Sequence, residues 1–347
     1  MRMLALLLLF AAATADACTT FCMSSDGRVV FGANYDWDTG VGLIMVNKRS
    51  VAKDSGTGRP ARWVSRFASI TLNQYGRDYP TGGMNEAGLT VALMALGQTQ
   101  YPAVDERPSV GILGWIQYQL DLAATIDDVL ELSAKTRVTG VMGLHYLVSD
   151  RSGRAVTIEY LGGNIVAHRD AALPVAVLTN STYDDSVAYL RTIAGFGGRQ
   201  SVPTGIGSLE RFAHAAAMIR ETPAGADPVA RAFEILGAVH QPGYTRWSVV
   251  YDPAAAAIHV RTDVSPQIRT VSFASFALDC TSAVKIADIN GGGAFTDYTT
   301  AANLALVNAA YDATPFLAGA SPQDRTDAAL HPESDVCRPA HPRAMRP

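Results

Sequence analysis

The stretch CTTFCMSSDGRVVFGANYDW, residues 18–37, predicts a β-hairpin at the start of the folded chain. Its two arms are rich in β-branched and aromatic residues, and Ser-Asp-Gly at 25–27 favours a tight turn between antiparallel strands. Antiparallel pairing around that turn brings Cys18 and Asp36 to the same open end. We therefore expect a thiol beside a carboxylate, although an aspartate that caps the turn after a strand is the alternative interpretation of Asp36.

The residues before Cys18 have the pattern of a signal peptide. Arg2 gives a positive start, and residues 4–13 form an uninterrupted apolar run that is too short to span a bilayer. Ala15 and Ala17 place small side chains where signal peptidase requires them. The expectation is an exported protein, periplasmic or secreted, whose mature chain begins at Cys18. A membrane anchor and a lipoprotein acylated at Cys18 are the alternatives, and the lipoprotein pattern usually has leucine where Ala15 stands.

Composition predicts a packed domain without the charge pattern of a nucleic-acid or membrane-surface binder. Hydrophobic residues make up 48% of the chain and charged residues 17%, with a net charge of −4 and no basic cluster. We expect no nucleic-acid partner and no stable membrane insertion, and homo-oligomerisation stays open. The predicted division is a leader at 1–17, one domain at 18–320, and at 321–347 a tail, either extended or tied down.

The cysteines and histidines give little support for a metal site. No CxxC pair and no HExxH motif occurs in the chain, so neither a metal nor a cofactor is expected. If Cys18 remains a thiol, Cys22, Cys280 and Cys337 allow at most one disulfide. A bond between Cys280 and Cys337 would fix the C-terminal segment, but the sequence leaves the pairing open.

The order of the predicted elements indicates an α+β fold. Strands precede helices, and this order repeats before a last group of strands, which is what two antiparallel sheets between two helical layers (αββα) would give. Thr125 is the predicted N-cap of the helix at 126–135, and Ser208 is the predicted N-cap of the helix near 208–221. The predicted strands are 18–24, 28–37, 42–48, 65–72, 88–96, 143–149, 154–160, 164–168, 174–179, 246–251, 256–262 and 267–275, and the predicted helices are 109–123, 126–135, 208–221 and 227–240.

A cysteine at the start of a mature chain combines two reactive groups on one residue. The thiol of Cys18 is a nucleophile, and a free α-amine, whose ordinary pKa is about 7.7–8.0, can accept its proton. Because that amine exists only after cleavage, export and activation would be the same event. The alternative is that Cys18 is a buried or disulfide-bonded residue without a catalytic role.

Several short motifs stand in order along residues 18–275. Besides the N-terminal cysteine, they are DGRVVFGANYDW at 26–37, GGMNEAGL at 82–89, VLTNS at 177–181 and SLERF at 208–212. Together they resemble the choloylglycine hydrolase family of bile-salt hydrolases and penicillin V acylases, also called linear amide C–N hydrolases, of the N-terminal nucleophile superfamily, and VNKRSVAK at 46–53 resembles its less characterised branch. The resemblance implies the N-terminal nucleophile hydrolase fold, with its αββα sandwich.

The resemblance also implies a role for each candidate site residue. Cys18 would be nucleophile and base, and Asp36 would bind its α-amine. Asn180 would donate its side-chain amide to the oxyanion, with a backbone N–H near Ala95 as the second donor. Arg211 would lie close to the sulfur and support its charge. Without the resemblance, Asn180 is equally interpreted as a turn residue after a buried strand, and Arg211 as one half of a surface ion pair.

One position departs from the family pattern. The family usually carries an arginine beside the nucleophile where this chain has Ala33. Its absence changes how a thiolate would be stabilised and how the acid group of a substrate would be bound. Arg28 and Arg211 are the available cations.

The resulting prediction is an exported amidase that cleaves a linear amide through a thioester on Cys18. Its substrate would be a small acyl amide, such as a conjugated bile acid, a penicillin V-like amide or another N-acyl compound, with an apolar acyl group in a pocket rimmed by residues such as Tyr35, Trp37 and Tyr75. The rival is a non-catalytic exported binding protein or lipoprotein that keeps the scaffold, and Ala33 favours it. A serine hydrolase lacks support because no G-x-S-x-G motif occurs.

Overall fold

The structure is a computed structural model that describes residues 18–56 and 58–338. The predicted leader, 1–17, and residues 339–347 of the predicted tail lie outside the described residues. The strands are β1 (Thr19–Ser25), β2 (Arg28–Asp36), β3 (Leu43–Asn47), β4 (Val51–Asp54), β5 (Arg62–Val64), β6 (Ser69–Asn73), β7 (Pro80–Asn85), β8 (Thr90–Ala95), β9 (Ser109–Gly111), β10 (Arg137–Thr139), β11 (Leu144–Ser149), β12 (Ala155–Leu161), β13 (Asn164–Arg169), β14 (Val177–Leu178), β15 (Thr245–Asp252), β16 (Ala257–Thr262), β17 (Arg269–Ser272), β18 (Lys285–Asp288), β19 (Thr296–Asp297) and β20 (Val336–Cys337). The α-helices are α1 (Gly114–Leu122), α2 (Ile126–Lys135), α3 (Tyr183–Leu190), α4 (Ser208–Arg220), α5 (Pro228–Ala238), α6 (Thr300–Asp312) and α7 (Pro322–Leu330).

The predicted N-terminal hairpin is confirmed. β1 and β2 pair antiparallel along the whole length of β1, and the turn between them holds Asp26 at a φ of 49° and Gly27 at 77°. Positive φ at both central residues gives a turn whose twist matches that of the two strands, and glycine adopts it without strain. The hairpin brings Cys18 to the end at which β2 delivers Asp36.

Two antiparallel sheets form the middle of the molecule. The six-stranded sheet has the order β14-β1-β2-β15-β16-β17, and the nine-stranded sheet has the order β13-β12-β11-β8-β7-β6-β3-β18-β19. Helices α4 and α5 pack on the outer face of the first sheet, and α1, with α2 beside it, packs on the outer face of the second. β1 faces β8 and β11 across the interface. The predicted α+β class and the αββα layering are therefore confirmed.

Side-chain alternation in β1 decides which way the predicted nucleophile points. Thr20 donates a hydrogen bond to Met94 Sδ of the opposite sheet at 3.1 Å, so it faces the inter-sheet space. Thr19 faces the helical layer instead, where it accepts a hydrogen bond from Arg211 of α4. Because successive side chains in a strand alternate between faces, Cys18 lies on the Thr20 side and points between the sheets.

The helix predicted at 109–123 begins later than expected. Ser109–Gly111 forms β9, which pairs in parallel with β10, and α1 begins only at Gly114. Gly111 and Gly114, together with β-branched Val110 and Ile112, lower the helix propensity of residues 109–114. The apolar residues that suggested helical spacing there are shared between a strand and a helix.

Of the two predicted N-caps, one is confirmed and one is wrong. The Thr125 side chain accepts a backbone N–H from the first turn of α2 at 3.2 Å. The N-cap of α4 is Gly207 rather than Ser208, and the Gly207 N–H donates to the Glu210 carboxylate at 3.1 Å. The hydroxyl of Ser208 is thereby free of a capping role and turns towards the segment that carries Asn180.

Residues 321–338 are tied down rather than extended. They form α7 and then β20, which pairs with β4, and a disulfide joins Cys337 to Cys280. The pairing that the sequence left open is therefore between these two cysteines, and Cys18 and Cys22 are not in disulfides. In the described part of the chain, no helix combines the length and apolar character needed to cross a bilayer.

Candidate active site

The Cys18 thiol lies at a cavity of about 370 Å³ between the two sheets. Cys18 itself is only 2% exposed, so reagents and substrates reach it through this cavity. The three aromatic residues predicted to rim the pocket, Tyr35, Trp37 and Tyr75, all line it. The described residues of the lining are apolar, aromatic or neutral, and none of them carries a formal charge. The cavity therefore favours an uncharged apolar group.

Asp36 adjoins Cys18 through its backbone and keeps its carboxylate buried. Its N–H donates to Cys18 Sγ at 3.5 Å, and the thiol lies 3.8 Å from its carbonyl oxygen. The carboxylate accepts a hydrogen bond at Oδ2 from Gln241 Nε2 at 2.9 Å, while Oδ1 has no partner among the described residues. Burial raises the pKa of Asp36 to about 6, against the opposing effect of a hydrogen bond from Thr245. A buried acceptor without a partner is a position at which a cation would be stabilised.

The structure brings Arg211 to Cys18, where it contacts the backbone. One guanidinium nitrogen donates to the Cys18 carbonyl oxygen at 2.7 Å and also to the Thr19 hydroxyl. The other donates to Asn180 Oδ1 at 2.8 Å. Burial lowers the pKa of Arg211, while the nearby Asp36 and Cys18 raise it. The guanidinium thus joins the backbone of Cys18 to the side chain of Asn180, and because Arg211 is buried, the alternative interpretation as a surface ion pair is wrong.

Asn180 and Ala95 meet at the edge of the cavity. Asn180 Nδ2 donates to the Ala95 carbonyl oxygen at 3.0 Å, which leaves its second N–H for another acceptor. The next residue, Leu96, donates its own N–H to Gly143. Because neighbouring residues of an antiparallel strand direct their backbone groups to opposite sides, the Ala95 N–H points away from β11, on the same side as its carbonyl. Ala95 lines the same cavity as Cys18, so its N–H and the adjoining amide of Asn180 lie at the wall of that cavity.

The turn that carries Asn180 is held on one side by Ser208. The Asn180 N–H donates to the Ser208 hydroxyl oxygen at 3.0 Å, and the same hydroxyl lies 2.8 Å from the Ser181 hydroxyl and 3.0 Å from that of Thr179. The sequence predicted Ser208 only as a helix cap. Its contact with Asn180 depends on how α4 docks against β14, which local sequence does not determine.

A buried histidine–glutamate pair holds the same turn from behind. His145 Nε2 donates to the Thr179 carbonyl oxygen at 2.6 Å, and its Nδ1 lies 3.2 Å from Glu159 Oε1. Glu159 Oε1 also accepts the N–H of Tyr183 at 3.0 Å. Both side chains of the pair are fully buried. Sequence reasoning missed this pair, and its signal was an ionisable residue within each of two buried strands.

The structure also locates Ala33 and Arg28. Ala33 is buried in β2, opposite Thr20 of β1 and Val249 of β15. Arg28 lies at the far end of the hairpin and pairs with carboxylates there, including that of Asp252. It therefore does not replace the arginine that the family usually has at the position of Ala33, and of the two available cations only Arg211 belongs to the site.

Comparisons with known proteins identify the family and the fold of the chain. The sequence profile of "Linear amide C-N hydrolases, choloylglycine hydrolase family" matches residues 18–231. The chain is 26% identical over 302 residues to a penicillin V acylase of Pectobacterium atrosepticum, covering 73% of this chain and 80% of that protein. The solved structure of penicillin V acylase from Agrobacterium tumefaciens superposes with a TM-score of 0.71 at 25% identity, covering 81% of this chain and 98% of that one. A variant of conjugated bile acid hydrolase from Clostridium perfringens shares the fold, with a TM-score of 0.66 at 18% identity over 81% and 97% of the two chains.

Proposed function

Because the chain belongs to the choloylglycine hydrolase family of linear amide C–N hydrolases, we propose that it is an exported amidase that hydrolyses an N-acyl amide through a thioester on Cys18. The observation that carries this proposal is the position of the Cys18 thiol. Cys18 lines an uncharged cavity together with Ala95, and Asn180 contacts Ala95 at the wall of that cavity. A nucleophile, an oxyanion site and an apolar acyl pocket then meet at one point, as acyl transfer requires.

In the proposed reaction, the α-amine of the processed Cys18 makes every proton transfer, including the last, in which it returns the proton taken from water to the sulfur. The amine accepts the thiol proton, and the sulfur bonds to the carbonyl carbon of the amide. The C–N bond breaks as the ammonium returns the proton to the leaving nitrogen, and an acyl thioester remains. Water, deprotonated by the same amine, then attacks the thioester carbonyl, and cleavage of the C–S bond releases the carboxylic acid and restores the thiol.

Asp36 holds the amine in the proposed mechanism. Its Oδ1 is buried and has no partner among the described residues, which supports a cationic partner at this position after cleavage. Such a partner also stabilises the ionised carboxylate, which burial alone disfavours. Asp36 thereby favours the ammonium form, which is the form that must protonate the leaving nitrogen.

The developing oxyanion is bound by the side-chain amide of Asn180 and the backbone N–H of Ala95. Arg211 donates to Asn180 Oδ1, which fixes the plane of the amide and polarises its N–H groups. In this proposal Arg211 acts through Asn180 and through the Cys18 carbonyl rather than on the sulfur. It therefore compensates in part for the arginine that Ala33 replaces.

The substrate class follows from the cavity and the relatives. The cavity is uncharged and aromatic, so we assign it to the acyl side of the amide and leave the amine side towards solvent. The similar proteins are a penicillin V acylase and a conjugated bile acid hydrolase. The proposed substrate is accordingly an N-acyl amide with a neutral, apolar acyl group.

Export is part of the proposal for two reasons. The leader at 1–17 has the pattern of a signal peptide whose removal would free the Cys18 amine. The disulfide between Cys280 and Cys337 also supports an oxidising compartment, because such bonds are rare in the cytosol.

The decisive experiment compares two cysteine substitutions on the same strand. Hydrolysis of a phenoxyacetyl amide is measured with the processed protein, with Cys18→Ala and with Cys22→Ala as the matched control, since Cys22 does not line the cavity. Cys18→Ala should abolish turnover while the melting temperature is kept, and Cys22→Ala should leave turnover within about threefold. Unchanged turnover in Cys18→Ala would end the proposal.

The role of the amine is tested by processing. A chain with one extra residue ahead of Cys18 should fold but fail to hydrolyse amides, because its α-amine is displaced. Intact-mass measurement of the exported protein should give an unmodified chain that begins at Cys18. Full activity in the extended chain would refute the amine as the base. A lipidated Cys18 would also refute it, and would favour a non-catalytic lipoprotein.

A further inference from the structure

One side of the cavity is built by the C-terminal part of the chain. We call residues 300–337, from α6 to β20, the C-terminal strap. It contributes Tyr311, Phe316, Leu317 and Ala328 to the cavity lining. These residues lie outside the segment that matches the family profile, which ends at residue 231. The acyl pocket is thus formed by the sandwich on one side and by the strap on the other.

Hydrogen bonds, an ion pair and a disulfide hold the C-terminal strap near its start and at its end. At its end, β20 pairs with β4 and Cys337 is bonded to Cys280. The Arg77 guanidinium donates to the Asp335 carboxylate at 3.0 Å near the end of the strap, and the Arg77 backbone N–H donates to Asn303 Oδ1 of α6 at 2.8 Å near its start. The wall that the strap presents to the cavity is therefore held in a fixed position rather than on an unattached tail.

Two contacts connect the strap with the aromatic residues near the thiol. The ring of Phe316 meets Trp37 edge-on, with 6.3 Å between the ring centroids. The Tyr75 hydroxyl lies 3.1 Å from that of Thr314, which is buried. Trp37 lines the same cavity as Cys18, so an acyl group that starts at the thiol and extends past Trp37 would contact Phe316.

Phe316 is the exposed part of this wall. It is 58% exposed, which is unusual for a phenylalanine at the edge of an apolar cavity. An exposed aromatic ring next to a cavity gains free energy when a ligand covers it, and an aromatic or aliphatic acyl group of sufficient length would do so.

We propose that the C-terminal strap is the specificity-determining wall of the acyl pocket, and that Phe316 selects bulky or extended neutral acyl groups over short ones. This inference rests on the proposed function only in assigning the cavity to the acyl side. Each methylene that packs against the wall should raise kcat/KM by about fourfold, because burying one methylene contributes the corresponding free energy. The gain should stop when the chain passes Phe316 and Leu317 and reaches solvent.

The test is a series of N-acylglycines with acetyl, butyryl, hexanoyl, octanoyl and phenoxyacetyl groups, for which kcat/KM is measured. In Phe316→Ala, kcat/KM should fall about tenfold for the longest and the aryl substrates and stay within about twofold for acetylglycine. The matched control is Leu330→Ala, which removes another exposed apolar side chain from the same strap but does not line the cavity. It should keep the wild-type profile.

A binding measurement separates this inference from the proposed function. Calorimetric titration of the Cys18→Ala protein with the same N-acylglycines should give affinities that rise with acyl length, and the double variant Cys18→Ala/Phe316→Ala should lose that rise. If binding shows this pattern but the wild-type protein hydrolyses none of the series, the inference stands and the proposed reaction is wrong. An equal loss for all acyl groups in Phe316→Ala, or an unchanged length profile in both measurements, would overturn the inference.

Discussion

Replacement of Asn180 tests the proposed oxyanion site most directly. In Asn180→Ala the amide that points to the cavity edge is lost, and with it one of two proposed donors. Loss of one such donor costs about 3–4 kcal/mol of transition-state stabilisation, which corresponds to a fall in kcat on the order of 10²–10³. Because the donor acts on charge that develops in the transition state, KM should change little.

The same substitution has a structural cost that the structure also defines. Arg211, which is 1% exposed, loses the acceptor Asn180 Oδ1, and the Ala95 carbonyl loses its donor. Leaving a buried polar group without a partner costs about 1–3 kcal/mol of folding stability. Thermal unfolding of Asn180→Ala should therefore be measured beside its kinetics, at a temperature where the variant is fully folded.

Asn180→Asp is the matched variant that separates the two effects. A carboxylate has the same shape and can still accept from Arg211, but it cannot donate to an oxyanion or to the Ala95 carbonyl. In steady-state assays with a phenoxyacetyl amide, Asn180→Asp should be as slow as Asn180→Ala. If Asn180→Asp keeps a kcat within tenfold of wild type, Asn180 acts only by holding Arg211, and the oxyanion assignment fails.

Three further predictions concern the Cys22 thiol, the Asp335 carboxyl group and the disulfide. Burial raises the pKa of the Cys22 thiol to about 12, so iodoacetamide at pH 8 should label Cys18 and leave Cys22 unmodified by mass spectrometry; equal labelling would contradict this. Burial raises the pKa of Asp335 to about 8, so the folded chain keeps a proton that the unfolded chain releases above about pH 4, and stability should fall as pH rises from about 4 to about 8 by at most ~1.4 kcal/mol per unit. Urea unfolding across this range should show a flatter dependence in Asp335→Asn, and an unchanged slope would refute the assignment. The disulfide closes a loop with a sequence separation of 57, so the double substitution Cys280→Ser/Cys337→Ser should lower unfolding free energy by up to about 4 kcal/mol, and a loss below about 0.5 kcal/mol would show that it does not constrain the chain.

Sequence predicted the parts of the site that local chemistry determines. The turn at Asp26 and Gly27 specifies the β1–β2 hairpin, and the hairpin alone brings Cys18 and Asp36 to one end. The capping residue Thr125 likewise determines the start of α2 within its own first turn. In these cases the interacting residues are near in sequence, so turn and capping preferences are sufficient.

The rest of the site depends on contacts between distant segments. Arg211 contacts both Cys18 and Asn180 because β14 pairs with β1 and α4 packs on that sheet. Before the structure, only the family resemblance connected these residues. The buried pair of His145 and Glu159 was missed because a single polar residue in a strand does not indicate its partner. The strap was missed because α6 is apolar or alanine on all its faces and therefore shows no amphipathic period.

The position of β1 in its sheet has a consequence for when activity arises during folding. Thr20 of β1 contacts Leu178 of β14, which is 158 residues away along the chain. Cys18 contacts Arg211, which is 193 residues away. Closing such long loops costs more chain entropy than closing the hairpin, so these pairings form late. A partly synthesised or partly folded chain can hold thiol and carboxylate together without any means of binding an oxyanion. Under the proposed mechanism, hydrolysis therefore waits for the finished fold, and Cys18 of an incomplete chain does not cleave amides.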